Sequence, residues 1–430
     1  MSLRENCLGR AGVALLFGIP MGLASLLVAA PASAAALTQV PTGWQQGTEP
    51  TWVSMYEYVP ATVQPGAPIL VLVHFCSGSA QNIFMQATQG GIVALADQKG
   101  ILLVVPQTTQ SCWDVATTPS LTHNGGGDTG AIVHQVQYAV TAHGGNKDRV
   151  YVMGTSSGGM VTQALLAAYP DVFKGGSEFA GVPAGCWSVN DPDGQWSGPC
   201  AGGQVTHTAK EWGDMVRAMD AGYTGFRPRI QLWHGDADTT ISPVNQTEAI
   251  KQWTDVFGFT TTATMTTTET VSGHSFKREQ WVDSCGSVVI DAWTESGGPH
   301  GTSINMNGTY SMPFFGLDTD AGPVDPQVSK CQMAAGGAGG MPASGGMPGT
   351  GGTNASGGTT GAPPPDPYTP PGCSCEVAGS SSVGSGLSWT GLVAVGAGLL
   401  FGRRRRARRT PDTQQQSRKK LHLFVKAPRS

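Results

Sequence analysis

The stretch Val150-Tyr-Val-Met-Gly154-Thr-Ser156-Ser-Gly158-Gly-Met160 constrains this chain more than any other. An unbroken apolar run, a G-x-S-x-G turn and an Ala- and Leu-rich stretch with helical spacing follow one another directly, in the order strand, tight turn, helix. The glycines on either side of Ser156 remove side chains that would clash in so sharp a turn, and the turn lifts the serine hydroxyl clear of the sheet. A chance surface turn in a Gly-rich chain is the competing explanation. The strand before the motif and the helix after it argue for a nucleophile instead.

The surroundings fit such a turn. Short runs of Val, Ile and Leu at residues 69–74, 101–105, 150–153, 229–233 and 288–293 alternate with helical spacing at 129–141, 160–169 and 244–256. Unbroken β-branched runs of this length belong to strands buried on both faces, so the expected class is α/β, a mostly parallel central sheet with helices on both faces. With the serine turn, this is the pattern of an α/β-hydrolase fold.

A serine hydroxyl is a weak nucleophile near neutral pH, so a base must take its proton and a carboxylate must hold that base in one tautomer. In this fold the chain order is Ser, then Asp or Glu, then His. Asp238 and Asp236 lie in His234-Gly-Asp-Ala-Asp238, where a loop leaves the end of the 229–233 strand. Asp238, deeper in the loop, is preferred, with Asp236 as a turn residue and the exchanged roles left open. His300 follows the 288–293 strand through a Gly-rich loop and is preferred as base. His274 is its rival, between a Thr-rich stretch and residues 276–281, which look helical. The backbone amides of Ser157, just after the nucleophile, and Cys76, just after the first long strand, are the expected donors to an oxyanion. Trp113 and His123 are candidate substrate contacts, with core packing and a polar loop as the plainer explanations. Asp128, before a helical stretch, is expected to act as an N-cap. No Cys or His grouping has zinc spacing and there is no H-E-x-x-H, so no metal or other cofactor is expected.

The ends read differently from the middle. Residues 1–34 carry Arg4 and Arg10, an apolar run and Ala32-Ser-Ala34, the pattern of a signal peptide. Residues 35–332 form the expected folded domain, and 333–383 are a Gly-, Pro- and Ser-rich linker unable to bury a core. Residues 384–409 contain a short apolar run followed by an Arg cluster, a possible membrane attachment with its basic end inside, and 410–430 are a basic tail. Between residues 35 and 402 there are 12 Lys and Arg against 27 Asp and Glu, a balance that repels phosphate backbones and excludes a nucleic-acid role. Six of the nine cysteines lie in the middle region of a chain marked for export, which suggests three disulfides. The preferred pairs are 76 with 112, 186 with 200, and 285 with 331.

Several motifs together carry a resemblance. Ser111-Cys-Trp-Asp-Val115, Ser120-Leu-Thr-His-Asn-Gly-Gly-Gly-Asp128, Gly154-Thr-Ser-Ser-Gly158, Tyr169-Pro-Asp-Val-Phe173, Gly181-Val-Pro-Ala-Gly-Cys186 and Trp233-His-Gly-Asp-Ala-Asp238 closely resemble acetylxylan esterases of carbohydrate esterase family 1. That group is related to the feruloyl esterases and the polyhydroxybutyrate depolymerase family, and the resemblance spans about residues 40–318. It implies an α/β-hydrolase fold, deacylation of acetylated xylan or a related polysaccharide, a triad on Ser156, Asp238 and His300, and oxyanion amides at Cys76 and Ser157. A feruloyl esterase, a polyester esterase or an inactive polysaccharide-binding surface protein are the alternatives it leaves. The segment from Cys373-Ser-Cys375 through the Arg cluster resembles a myxobacterial-type C-terminal sorting segment, which implies display at the cell surface.

Overall fold

Strands and helices alternate along most of the chain, and the computed structural model describes residues 35–188, 196–320, 322 and 324–327. In chain order the elements are β1 (Thr38–Val40), β2 (Val53–Tyr58), β3 (Ile69–Val73), α1 (Ala80–Gln89), α2 (Ile92–Lys99), β4 (Leu102–Thr108), α3 (Gly127–His143), β5 (Val150–Thr155) and α4 (Ser157–Ala168). There follow β6 (Gly175–Phe179), α5 (Gly198–Ala201), α6 (Ala209–Met219), β7 (Arg229–Gly235), α7 (Val244–Phe257), β8 (Met265–Val271), β9 (His274–Val282), β10 (Val288–Glu295) and α8 (Gly308–Phe315). The expected leader (1–34), linker (333–383), anchor (384–409) and tail (410–430) lie outside the described residues. Among those described, no helix is long and apolar enough to cross a membrane.

All ten strands join one sheet in the order β1-β2-β4-β3-β5-β6-β7-β10-β9-β8. The inner strands from β4 to β10 are parallel, while β1 with β2 and β8 with β9 add antiparallel pairs at the two edges. Side chains alternate between faces along each strand, and β3 illustrates the result. Val71 and Val73 join the core under α3, α4, α6 and α7, while Leu70 and Leu72 join the core under α1, α2 and α8. Each strand expected from an apolar run is present, and the two polar residues inside those runs, Gln231 and Asp291, are buried and bonded to each other.

Residues 276–281 are a correction. They lie in β9, not in a helix, paired with β8 and β10. Ser272 and Gly273 both have positive φ, 51° and 86°, the geometry of a two-residue hairpin turn whose twist matches the strands it joins. The hairpin sits at the sheet edge, half in water, and its Thr, Lys, Arg and Glu residues hide the alternation that would identify a strand.

Candidate active site

Ser156 sits between β5 and α4 at φ 56° and ψ −120°, outside the usual regions for a residue with a Cβ. Such a conformation costs roughly 1–3 kcal/mol and persists only when its surroundings over-determine it. Here the Ser156 amide donates to Phe179 O at 2.8 Å and its carbonyl accepts from Met160 N at 2.9 Å. The flanking glycines are required by close approach to β3. A Cβ on Gly158 would lie 2.2 Å from Val73 O, and one on Gly154 would lie 2.8 Å from the same atom. The elbow is therefore wedged against the end of the neighbouring strand.

Two loops at the carboxyl end of the sheet bring Asp238 and His300 together. His300 Nδ1 lies 2.7 Å from Asp238 Oδ2, and that carboxylate is fully buried while the imidazole remains partly open. Asp238 Oδ1 accepts from the amides of Thr240 and Ile241 at 2.8 and 3.0 Å. Buried His234 approaches Oδ2 at 3.3 Å and Ile241 O at 2.9 Å through Nε2. Burial acts to raise the Asp238 pKa, but the hydrogen bonds from His234, His300 and Ile241 outweigh it and hold the carboxyl well below the usual carboxylate range. A permanent carboxylate on Nδ1 leaves Nε2 of His300 with a free lone pair, an arrangement able to accept a proton.

Asp236 serves the loop that carries His300. Its Oδ1 accepts from Gly297 N at 2.6 Å, while its amide and that of Ala237 donate to Glu295 O and Gly298 O, each at 3.0 Å. Asp236 does not pair with a histidine among the described residues, so the choice between the two aspartates follows from geometry. His274 has a different partner. It starts β9, and its Nδ1 is 2.9 Å from Glu295 Oε1, whose other oxygen accepts from Ser303 N at 2.6 Å. The same loop reaches the nucleophile: Thr155, next to Ser156, donates through Oγ1 to Asn305 Oδ1 at 2.6 Å.

The second expected oxyanion donor, Cys76, follows β3 and is bonded to Cys112. His74 supports this corner and was not singled out by sequence. Its Nδ1 donates to Phe75 O at 2.7 Å and its Nε2 accepts from Thr108 N at 3.2 Å. Burial lowers its pKa to about 4, so it stays neutral and keeps both bonds. Cys186 and Cys200 form the second expected disulfide. Cys285 is also disulfide-bonded, and Cys331 lies outside the described residues.

Three expectations are corrected. Trp113 is 0% exposed, its ring tilted against His74 and its Nε1 donating to His74 O at 2.9 Å, so it shapes the corner from within and presents no face to a substrate. His123 donates its amide to Met219 O and engages Ala168 O through Nδ1 at 2.7 Å. It stands at the far end of α4 from Ser156, roughly 18 Å along the helix at 1.5 Å per residue. Asp171 and Asp220 stand near it, and these three could surround a cation, but not at the nucleophile. Asp128 lies inside the first turn of α3, not at its cap. Its carboxylate accepts instead from Trp52 Nε1 and from Asp114 N, both at 2.9 Å.

Residues 53–190 match the family model described as Esterase PHB depolymerase. The probable acetylxylan esterase A of Aspergillus flavus is 36% identical over 275 residues, 63% of this chain and 86% of the fungal one. Acetylxylan esterase A of Aspergillus oryzae is 35% identical over the same shares. The solved acetyl xylan esterase from Aspergillus awamori superposes with a TM-score of 0.59 at 34% identity, covering 66% of this chain and 99% of that one. A strand-turn-helix serine, the loop pair behind it and relatives matched over most of their own length lead to one conclusion: the chain belongs to the acetylxylan esterase A family, on an α/β-hydrolase fold.

Proposed function

We propose that this chain is a serine esterase that removes acyl groups, acetyl foremost, from xylan or a related plant polysaccharide through an acyl-enzyme on Ser156. The observation that carries the reading is the 2.7 Å pairing of Asp238 with His300 in a loop tied to the residue beside Ser156. His300 takes the Ser156 proton as Oγ attacks the ester carbonyl. The amides of Cys76 and Ser157 hold the resulting oxyanion, whose collapse breaks the bond to the sugar oxygen. That oxygen leaves with the proton from His300. Water, deprotonated in turn by His300, attacks the acyl-enzyme, releases the carboxylic acid and restores Ser156.

Secretion fits the same reading. Two cystines in the described domain suit an oxidising compartment, and residues 1–34 read as the leader that would take the chain there. Display at the cell surface would fall to residues 333–430, through the linker, the apolar run and its basic flank.

The match to a family model named for polyhydroxybutyrate depolymerases favours a second reading, a polyester esterase with the same triad and another acyl pocket. Turnover of acetylated xylan, methyl ferulate and polyhydroxybutyrate by the full chain separates the possibilities. Acetate release from acetylated xylan, abolished by Ser156→Ala, is expected. Activity confined to the polyester would sink the first reading, and unchanged ester hydrolysis in Ser156→Ala would sink any serine mechanism.

A further inference from the structure

We infer that a cavity beside Trp52 is a subsite for the uncharged pyranose backbone of the polysaccharide, an inference that rests on the proposed deacylase reading. The cavity, of about 830 Å³, is walled by Thr48, Trp52, Gln110, Asp114 and Thr117 among others. Trp52 is 37% exposed and, with Trp196, one of two exposed tryptophans among the described residues, but it is the one that lines this cavity. A flat apolar face next to hydroxyl and amide groups is the chemistry that takes a sugar ring, whose C–H face stacks while its hydroxyls hydrogen-bond.

The tryptophan is held ready. Its Nε1 donates to buried Asp128 at 2.9 Å and its carbonyl accepts from Thr109 N at 2.9 Å, so neither ring nor backbone has to be ordered on binding. The acidic groups nearby are already committed. Glu49 accepts from the Gln46 and Gly47 amides and pairs with His134, while Asp114 accepts from the amides of Ala116 and Thr117 and from the Ser120 hydroxyl. Their charge disfavours an anionic ligand, and their lone pairs are engaged in shaping the wall. What remains for a ligand is the indole face and neutral polar groups.

The cavity opens at the same end of the sheet as the proposed site. Trp52 immediately precedes β2, which pairs with β4, which pairs with β3, so it stands two strand spacings, about 10 Å, from the strand whose exit carries Cys76. Gln110 and Asp114, two of its wall residues, flank Cys112, the disulfide partner of Cys76. A chain whose ester lies at Ser156 can extend over this wall and lay a ring some units away on Trp52.

Binding of unsubstituted xylohexaose to the Ser156→Ala full chain, followed by calorimetry, tests the subsite without any turnover. Adding Trp52→Ala is expected to weaken binding by about tenfold, the loss that follows truncation of a central aromatic contact, and Trp52→Phe is expected to fall between. On the Ser156 background, Trp52→Ala is expected to raise KM for acetylated xylan about tenfold relative to KM for p-nitrophenyl acetate. Xylohexaose binding that is undetectable, or equal with and without Trp52, overturns the subsite. Failure of the wild type to release acetate from xylan would instead overturn the deacylase reading, and the binding measurement would still decide the subsite.

Discussion

Replacing Asp238 by Asn changes one atom and forces a choice that the carboxylate never faces. In the native chain Oδ1 accepts two backbone amides at 2.8 and 3.0 Å, and Oδ2 accepts from His300 at 2.7 Å with His234 at 3.3 Å. An amide can offer an acceptor on one side only. Turning its NH2 toward the Thr240 and Ile241 amides would leave a part-buried and a buried donor unmatched, the buried one at roughly 1–3 kcal/mol, so the oxygen is expected to stay there. The NH2 then faces His300 Nδ1, which must become an acceptor, and the ring proton moves to Nε2. A ring in that tautomer cannot take the Ser156 proton. In a serine protease the equivalent exchange costs about 10⁴ in kcat, near 5.5 kcal/mol of transition-state stabilisation, and a loss of that size is expected for ester hydrolysis here. The assay is p-nitrophenyl acetate hydrolysis across pH, with circular dichroism to establish that the variant is folded. Asp236→Asn is the control. It weakens one contact to Gly297 N and is expected to lose no more than about tenfold. A folded Asp238→Asn variant within tenfold of wild type, or a larger loss from Asp236→Asn, would refute the assignment.

Two further outcomes are expected. His300→Ala should remove acyl transfer by about 10⁴ or more, whereas His274→Ala, losing the contact of a 43% exposed imidazole with buried Glu295, which keeps its bond from Ser303 N, should stay within a few-fold in the same kinetic assay; the opposite ranking would exchange the two histidines. Glu178, buried beneath the elbow and accepting from Gly181 N and Gln163, is pushed up to about 8 by that burial, which those bonds only partly offset. Between its ordinary value of 4.5 and about 8 the folded chain keeps a proton that the unfolded chain has released, so stability should fall as pH rises through that window. Thermal midpoints between pH 4 and 9 should show this slope in the wild type and lose it in Glu178→Gln; an identical slope in both would assign it to other groups.

The nucleophile turn was legible because everything it needs is local: strand, glycines and helix are adjacent in sequence, and the close contact with β3 demands glycine at 154 and 158. The Asp and His loops were legible as loops, since each follows an apolar strand. Their pairing was legible only as a preference over Asp236 and His274, because it joins residues 62 apart and depends on which aspartate turns inward. The misreading of β9 has a related cause. One strand in from the sheet edge, β9 is held by backbone ladders to β8 and β10, which leave no mark in residue type, while its charged side chains resemble an exposed helix. Trp113 and Trp52 show the same limit from another side. Both are lone aromatics near loops, and only the fold reveals that one supports a corner from below and the other opens onto a cavity.

The Cys76–Cys112 bridge also bears on when the chain can act. It clamps the exit of β3 to the loop that carries both Trp113 and the wall of the Trp52 cavity. In a reducing compartment this clamp does not form, because free thiols there are kept reduced. The sheet and the serine elbow contain no cystine among the described residues, whereas the amide expected to face the oxyanion belongs to a bridged residue. The covalent structure thereby ties this one corner of the site, and not its nucleophile, to the redox state of the surroundings.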